Sequence, residues 1–221
     1  MSIRERVFAA LYDPMSATAE RKFGAETKRK LLANARGRVL EIGVGTGLSF
    51  PHYPADVELV GVEPSAPMLR RAKRRAAELH RDVTLVHARA EELPFEDGSF
   101  DTVVSLAVLC SVRDQSRALA EARRVLRPGG RLLFVEHVRS DDPSVARRQD
   151  RYERPWGWFA CGCHPNRDTL AAIEAAGFEV VELEREERPE LPQLVRPHVK
   201  GSGRKPQWPS KPASKVTLSC R

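Results

Sequence analysis

The chain predicts an α/β fold with a mostly parallel sheet, and three observations carry that reading. Short apolar runs recur along the sequence, stretches of helical periodicity separate them, and Gly- or Pro-containing turns mark the joins. Helices of roughly 10–15 residues between strands are the spacing of right-handed crossovers in a parallel sheet. At 221 residues the chain suits one large domain or two small ones.

The elements follow in order. Residues 1–36 are polar and basic with scattered apolar positions (Val7, Phe8, Leu11, Tyr12, Leu31, Leu32), which permits two short amphipathic helices as an N-terminal cap, the second over roughly 18–34. The run RVLEI at 38–42 ends abruptly in glycine, and VELVGV at 57–62 is followed by Glu63-Pro64. Met68, Leu69, Ala72, Ala76 and Leu79 recur at helical spacing over 65–80, with Ser65 as the candidate N-cap. Residues 83–88 (VTLVHA) read as a strand, and 100–108 (FDTVVSLAV) as a longer one behind the turn Glu96-Asp97-Gly98-Ser99. A helix from about 115 to 126 stops before Pro128-Gly129-Gly130, and RLLFVEHV at 131–138 is the next strand. Residues 168–176 form a helix closed by Gly177, with a further strand at 178–183.

Composition excludes several classes. No apolar run approaches the ~20 residues of a membrane-spanning helix, and the N-terminus lacks a secretory apolar core. Four cysteines do not make a disulfide scaffold, so the expectation is a soluble, cytoplasmic protein. The net charge of +7 resembles a nucleic-acid signal, but six of those charges (Lys200, Arg204, Lys205, Lys211, Lys215, Arg221) fall in residues 200–221, which hold no acid. Residues 1–199 are then nearly balanced, no basic stripe interleaves with aromatics, and no nucleic-acid partner is expected. Gly, Pro, Ser and Lys dominate 200–221, which reads as a disordered basic tail.

The chemistry concentrates where the first strand meets the next helix, at Glu41-Ile42-Gly43-Val44-Gly45-Thr46-Gly47. Glycine there lets the backbone turn sharply and lets a ligand lie against bare main chain. Twenty residues after Gly43, Glu63 closes the second strand, where a carboxylate can accept both hydroxyls of a ribose. A nicotinamide fingerprint would need glycine at position 48, which is leucine. The pattern E-x-G-x-G-x-G instead resembles motif I of the class I S-adenosylmethionine-dependent methyltransferases. Ala90-Glu91-Glu92-Leu93-Pro94-Phe95, Asp97-Gly98-Ser99-Phe100-Asp101 and Leu126-Arg127-Pro128-Gly129-Gly130 resemble later segments of that superfamily in the correct order.

A narrower resemblance covers residues 12–198. Val108-Leu109-Cys110-Ser111-Val112, Glu136-His137-Val138, Gly162-Cys163 and Leu194-Val195-Arg196-Pro197-His198 look like the methyltransferase-like protein 7 group, which in animals comprises membrane-associated methyltransferases of alkyl thiols. Two departures stand out. The hydrophobic N-terminal anchor of the animal proteins is missing, and the last strand dissolves after His198 into Gly-Ser-Gly-Arg-Lys-Pro, leaving the final hairpin incomplete.

The resemblance implies a seven-stranded, Rossmann-like sheet with helices on both faces and S-adenosyl-L-methionine as cofactor. Glu41, Gly43, Gly45 and Gly47 would form the cofactor loop and Glu63 would hold the ribose, with Pro64 and Met68 nearby. Ala90 and Glu91 would flank the adenine, and Leu106 would lie near the methyl donor. The acceptor is a small molecule, an alkyl thiol first; a lipid or quinone head group, or binding without catalysis, are the alternatives. His137 is the candidate base or orienting residue and Cys110 a candidate wall of the acceptor pocket. Trp156, Trp158 and Phe159 suit an apolar lid over that pocket, which Arg196 and His198 could also reach. Cys161-Gly162-Cys163-His164 invites a metal reading, but its ligands crowd closer than the usual C-x₂₋₄-C spacing, and no metal is expected.

Overall fold

A computed structural model describes residues 9–14, 24–160 and 162–207. Its single sheet has the order β3-β2-β1-β4-β5-β7-β6. The strands are β1 (Arg38–Ile42), β2 (Glu58–Val62), β3 (Thr84–Val86), β4 (Phe100–Leu106), β5 (Leu126–His137), β6 (Glu179–Glu187) and β7 (Pro197–Arg204). The first five pair in parallel, whereas β7 lies antiparallel between β5 and β6. The helices are α1 (Ala25–Leu32), α2 (Ala66–Glu78), α3 (Gln115–Val125), α4 (Pro143–Phe159) and α5 (Thr169–Ala175), and residues 9–14 are also helical.

Strand alternation sorts the core into two layers. Leu40, Ile42, Leu132 and Phe134 point to one face and pack with Ala118, Leu119 and Ala122 of α3 and Ile173 of α5. Val39, Leu133 and Val135 point to the other and pack with Leu31 and Leu32 of α1 and Ala72 and Ala76 of α2. Asp114, Asp142 and Asp168 each accept backbone N–H bonds at the starts of α3, α4 and α5. Ser65 occupies the N-cap of α2 without a side-chain cap bond.

Three expectations change. The strand that dissolves after His198 does not: β7 runs to Arg204, so residues 200–204 belong to the sheet and not to a disordered tail. The glycines are the reason, because a Cβ on Gly201 would run into the Glu182 carbonyl oxygen and crowd Phe134, so only glycine lets β7 lie this close. Lys200 is neutralised in turn by Glu184 and Glu186 of β6. The Pro128-Gly129-Gly130 turn is absorbed into β5, whose register against β4 shifts between Phe100 and Thr102. Finally, 143–159, unassigned by periodicity, is the long helix α4, with Pro155 inside it.

Candidate active site

The carboxyl ends of the parallel strands form one edge of the sheet, where open α/β folds bind ligands. After β1 the chain turns through Gly43, Gly45 and Gly47, all at positive φ (65°, 57° and 80°). A Cβ at Gly43 would come within 2.6 Å of Val108, and one at Gly47 would strike the Phe50 ring, whereas Gly45 has open space over it. Glu63, 7% exposed at the end of β2, accepts the Gly45 N–H at 3.0 Å and the Ser65 N–H at 2.8 Å. Burial pushes its carboxyl group up, and these two N–H bonds pull the other way. Glu41 is buried beneath the loop, accepting hydrogen bonds from Ser49 and Tyr53 at 2.7 and 3.0 Å; burial raises its carboxyl group too.

The remaining expected cofactor residues gather at this edge with different exposures. Met68 and Ala90 are buried, Leu106 is half-buried at the end of β4, and Pro64 is exposed with its carbonyl 2.8 Å from His87 Nε2. The Glu91 carboxylate is occupied by the backbone N–H groups of Arg113 and Asp114. Sequence reasoning missed a clamp on the loop. Thr46 donates its hydroxyl to Asp13 at 2.5 Å, while Arg75 donates to the Thr46 carbonyl at 2.9 Å and to Asp13 at 2.8 Å.

The other half of the site lies past β4 and β5. Glu136, fully buried, accepts from Ser105 Oγ at 2.6 Å and from the backbone N–H groups of Val108 and Cys110 at 3.1 and 3.2 Å. One carboxylate thus fixes the 108–110 loop, next to Ala107, which holds a positive φ of 56° without being glycine. Cys110 Sγ lies 3.2 Å from His137 Nδ1, and Cys163 Sγ lies 3.5 Å from the same nitrogen and 4.0 Å from Cys110 Sγ. The hydrogen bond between the two sulfurs, together with burial, pushes the Cys110 thiol up, and the same bond lowers Cys163. Burial works against charge on His137, but the neighbouring Cys110 and Glu136 together outweigh it and the imidazole ends raised.

Of the expected lid, only Trp156 packs against the Cys110–Cys163 cluster; Trp158 and Phe159 are 68% and 57% exposed. His198 stacks edge-on against His137 with ring centroids 4.6 Å apart, and burial, with that neighbour, holds it down at about 3. The Arg196 guanidinium donates to the Leu191 carbonyl. Cys161 lies outside the described residues, and Cys163 gathers not with His164 but with Cys110 in the loop after β4 and His137 at the end of β5. Among the described residues no helix is long and apolar enough to cross a membrane. A cavity of about 770 Å³ opens between α3 and α5 beside Arg123, away from this edge and from every expected site residue.

Comparison with known proteins gives the family. A methyltransferase-domain family model matches residues 40–134. The human thiol S-methyltransferase TMT1A is 31% identical over 198 residues, spanning 88% of this chain and 81% of its own length. A phosphatidylethanolamine N-methyltransferase of Cereibacter sphaeroides is 40% identical over 133 residues, 58% of this chain and 66% of its own. An S-adenosylmethionine-dependent methyltransferase structure from Thermotoga maritima superposes with a TM-score of 0.67 at 24% identity, over 91% of this chain and 99% of that one.

The sheet order and these matches are those of a class I S-adenosylmethionine-dependent methyltransferase. The open space over Gly45 and the buried carboxylate that borders it fit a ribose and an adjoining chain laid along the loop. Within that class, the chain belongs to the methyltransferase-like protein 7 group, of which TMT1A is a member.

Proposed function

We propose that this methyltransferase acts on a small alkyl thiol, with Glu63 on the cofactor's ribose and the loop past β4 facing its methyl group. The observation that carries the substrate is the pair of sulfurs beside one imidazole, Cys110, Cys163 and His137, at the end of the site opposite Glu63. Bound S-adenosylmethionine supplies a methyl group already activated on a sulfonium. The protein therefore needs to align the acceptor and exclude water more than to provide a strong base.

In this reading Gly43 and Gly47 keep the loop turned for the cofactor, and Glu41 supports it from below through Ser49 and Tyr53. Glu136 holds the 108–110 backbone, so that Cys110 and His137 orient the acceptor's sulfur. A reducing cytoplasm is the compartment that suits two unbridged cysteines this close together.

The test offers the purified protein S-adenosylmethionine with ethanethiol, a phenol, a primary amine or phosphatidylethanolamine vesicles, and follows release of S-adenosylhomocysteine. Turnover with ethanethiol is expected. Turnover with the vesicles alone would move the assignment to a lipid head group, as the Cereibacter relative's name suggests. Glu63→Ala should weaken cofactor binding in a calorimetric titration by about tenfold or more, the value of a hydrogen bond to a charged group. Unchanged binding would remove Glu63 from the site.

A further inference from the structure

Cys110, His137 and Cys163 come from three separate places: the loop after β4, the end of β5 and the loop after α4. Their ligand atoms nevertheless converge within 4.8 Å of one another. A tetrahedral zinc ion, with Zn–S near 2.3 Å and Zn–N near 2.05 Å, sets its ligands about 3.8 Å apart for two sulfurs and about 3.6 Å for sulfur and nitrogen. The observed edges are 4.0 Å between the sulfurs and 3.2 and 3.5 Å from each sulfur to the imidazole. At 4.0 Å the two sulfurs are unbridged, and their spacing is close to the one that a shared tetrahedral ion would set.

The backbone around the cluster is built to keep it. The His164 backbone N–H donates to the Cys110 carbonyl at 2.8 Å, joining the two cysteine loops. Gly162, at a φ of 100°, approaches so closely that a Cβ would lie 3.0 Å from the Ser111 carbonyl oxygen. Glu136 and Arg167 hold the 108–112 segment from the other side, through the Cys110 N–H and the Leu109 and Val112 carbonyls. Both cysteines are buried and unbridged, and His137 lies beside them partly buried.

We propose that Cys110, His137 and Cys163 form a three-ligand site for a thiophilic divalent cation, zinc foremost, whose fourth position takes the acceptor's sulfur. The donor set decides the metal: two thiolates and an imidazole favour zinc over magnesium or calcium. Two thiolates and a neutral imidazole balance its charge. Binding displaces one proton from each cysteine thiol, and an acceptor thiol entering the fourth position releases one more to solvent. This deepens the thiol reading and rests on it only for the identity of the fourth ligand.

The test uses the full chain, stripped of metal by chelation and then titrated with zinc alone, with bound metal counted by mass spectrometry. Wild type should take up about one zinc per chain, and Cys163→Ser less than about a tenth of that, while both bind S-adenosylmethionine equally by calorimetry. Cobalt(II) in the stripped wild type should give the strong visible bands of a four-coordinate thiolate site, and ethanethiol should shift them. That second measurement needs no variant, so poor folding of Cys163→Ser cannot mask the answer. Zinc uptake by wild type no greater than by Cys163→Ser overturns the site, and full thiol turnover by the metal-free protein overturns the acceptor's place at the fourth position. Cobalt bands that ethanethiol leaves unmoved overturn the open position. Zinc uptake in a protein that methylates no thiol sustains the site and removes the thiol assignment, so the two readings fail separately.

Discussion

Gly45 and Gly47 stand two residues apart on one loop, yet an added methyl group meets different surroundings at each. At Gly45 it enters open space and costs only the left-handed backbone, roughly 1–2 kcal/mol. At Gly47 it also strikes the ring of Phe50, which is fully buried. Gly45→Ala should therefore fold, with a modest drop in melting temperature, but lose S-adenosylmethionine affinity, because in the proposed site the methyl group stands where the ligand approaches bare backbone. Gly47→Ala should lose a further ~1–3 kcal/mol of stability through overpacking. Thermal unfolding beside calorimetry separates them, and equal melting temperatures for the two variants would contradict the assignment. These glycines and Glu63 were legible in the sequence because the turn and the strand end that they serve are local. Asp13, Arg75 and the meeting of Cys110 with Cys163 were not, since side chains that converge across 29 to 62 positions leave no periodicity behind.

Among the elements, α4 shows why a helix can hide. Its interior Pro155 is a breaker in any local reading, but Arg151 and Pro155 are both exposed, so the missing hydrogen bond falls on the helix's solvent side. What seats the helix is not a long apolar stripe but Gln149, fully buried, which donates to the carbonyls of Val138, Pro165 and Leu194. Next to it, Arg139 and Asn166 hold the Asp150 carboxyl group down at about 2. A carboxylate whose pKa falls on folding stabilises the fold above its unfolded pKa, and that contribution disappears as pH falls through the folded value. The stability difference between wild type and Asp150→Asn should thus be constant above about pH 4 and close as pH drops toward 2. Chemical denaturation at a series of pH values measures it; a gap that persists at pH 2 would place its origin elsewhere. The parallel strands, by contrast, were readable from their apolar runs, and β7 was misread because glycine marks close packing as well as loops.

For the whole molecule, β7 is the strand on which the sheet's far side depends, since it alone joins β6 to β5. Gly201→Val should be far more damaging than its place among basic, glycine-rich residues suggests. Its side chain would displace either the β6 backbone at Glu182 or the buried ring of Phe134. A loss above about 3 kcal/mol, read by denaturant unfolding, is expected from overpacking combined with a broken ladder. The variant should also lose the amide-exchange protection of β6 before that of β1 and β2. Uniform loss of protection across the sheet would show instead that the domain unfolds only as one unit.

The antiparallel insertion has a consequence for how the polypeptide comes to be made. When β5 is complete at His137, all five parallel strands exist, but one side of β5 still carries unpaired N–H and C=O groups and apolar side chains. Its partner arrives only with residues 197–204, after two helices and β6 have been added. Until then the nascent chain presents an open, hydrophobic sheet edge of the kind that recruits other strands. Closing it requires a contact between distant parts of the sequence, which makes that step slow. The yield of native enzyme at synthesis should accordingly be governed by what shields this edge while the ribosome finishes the hairpin.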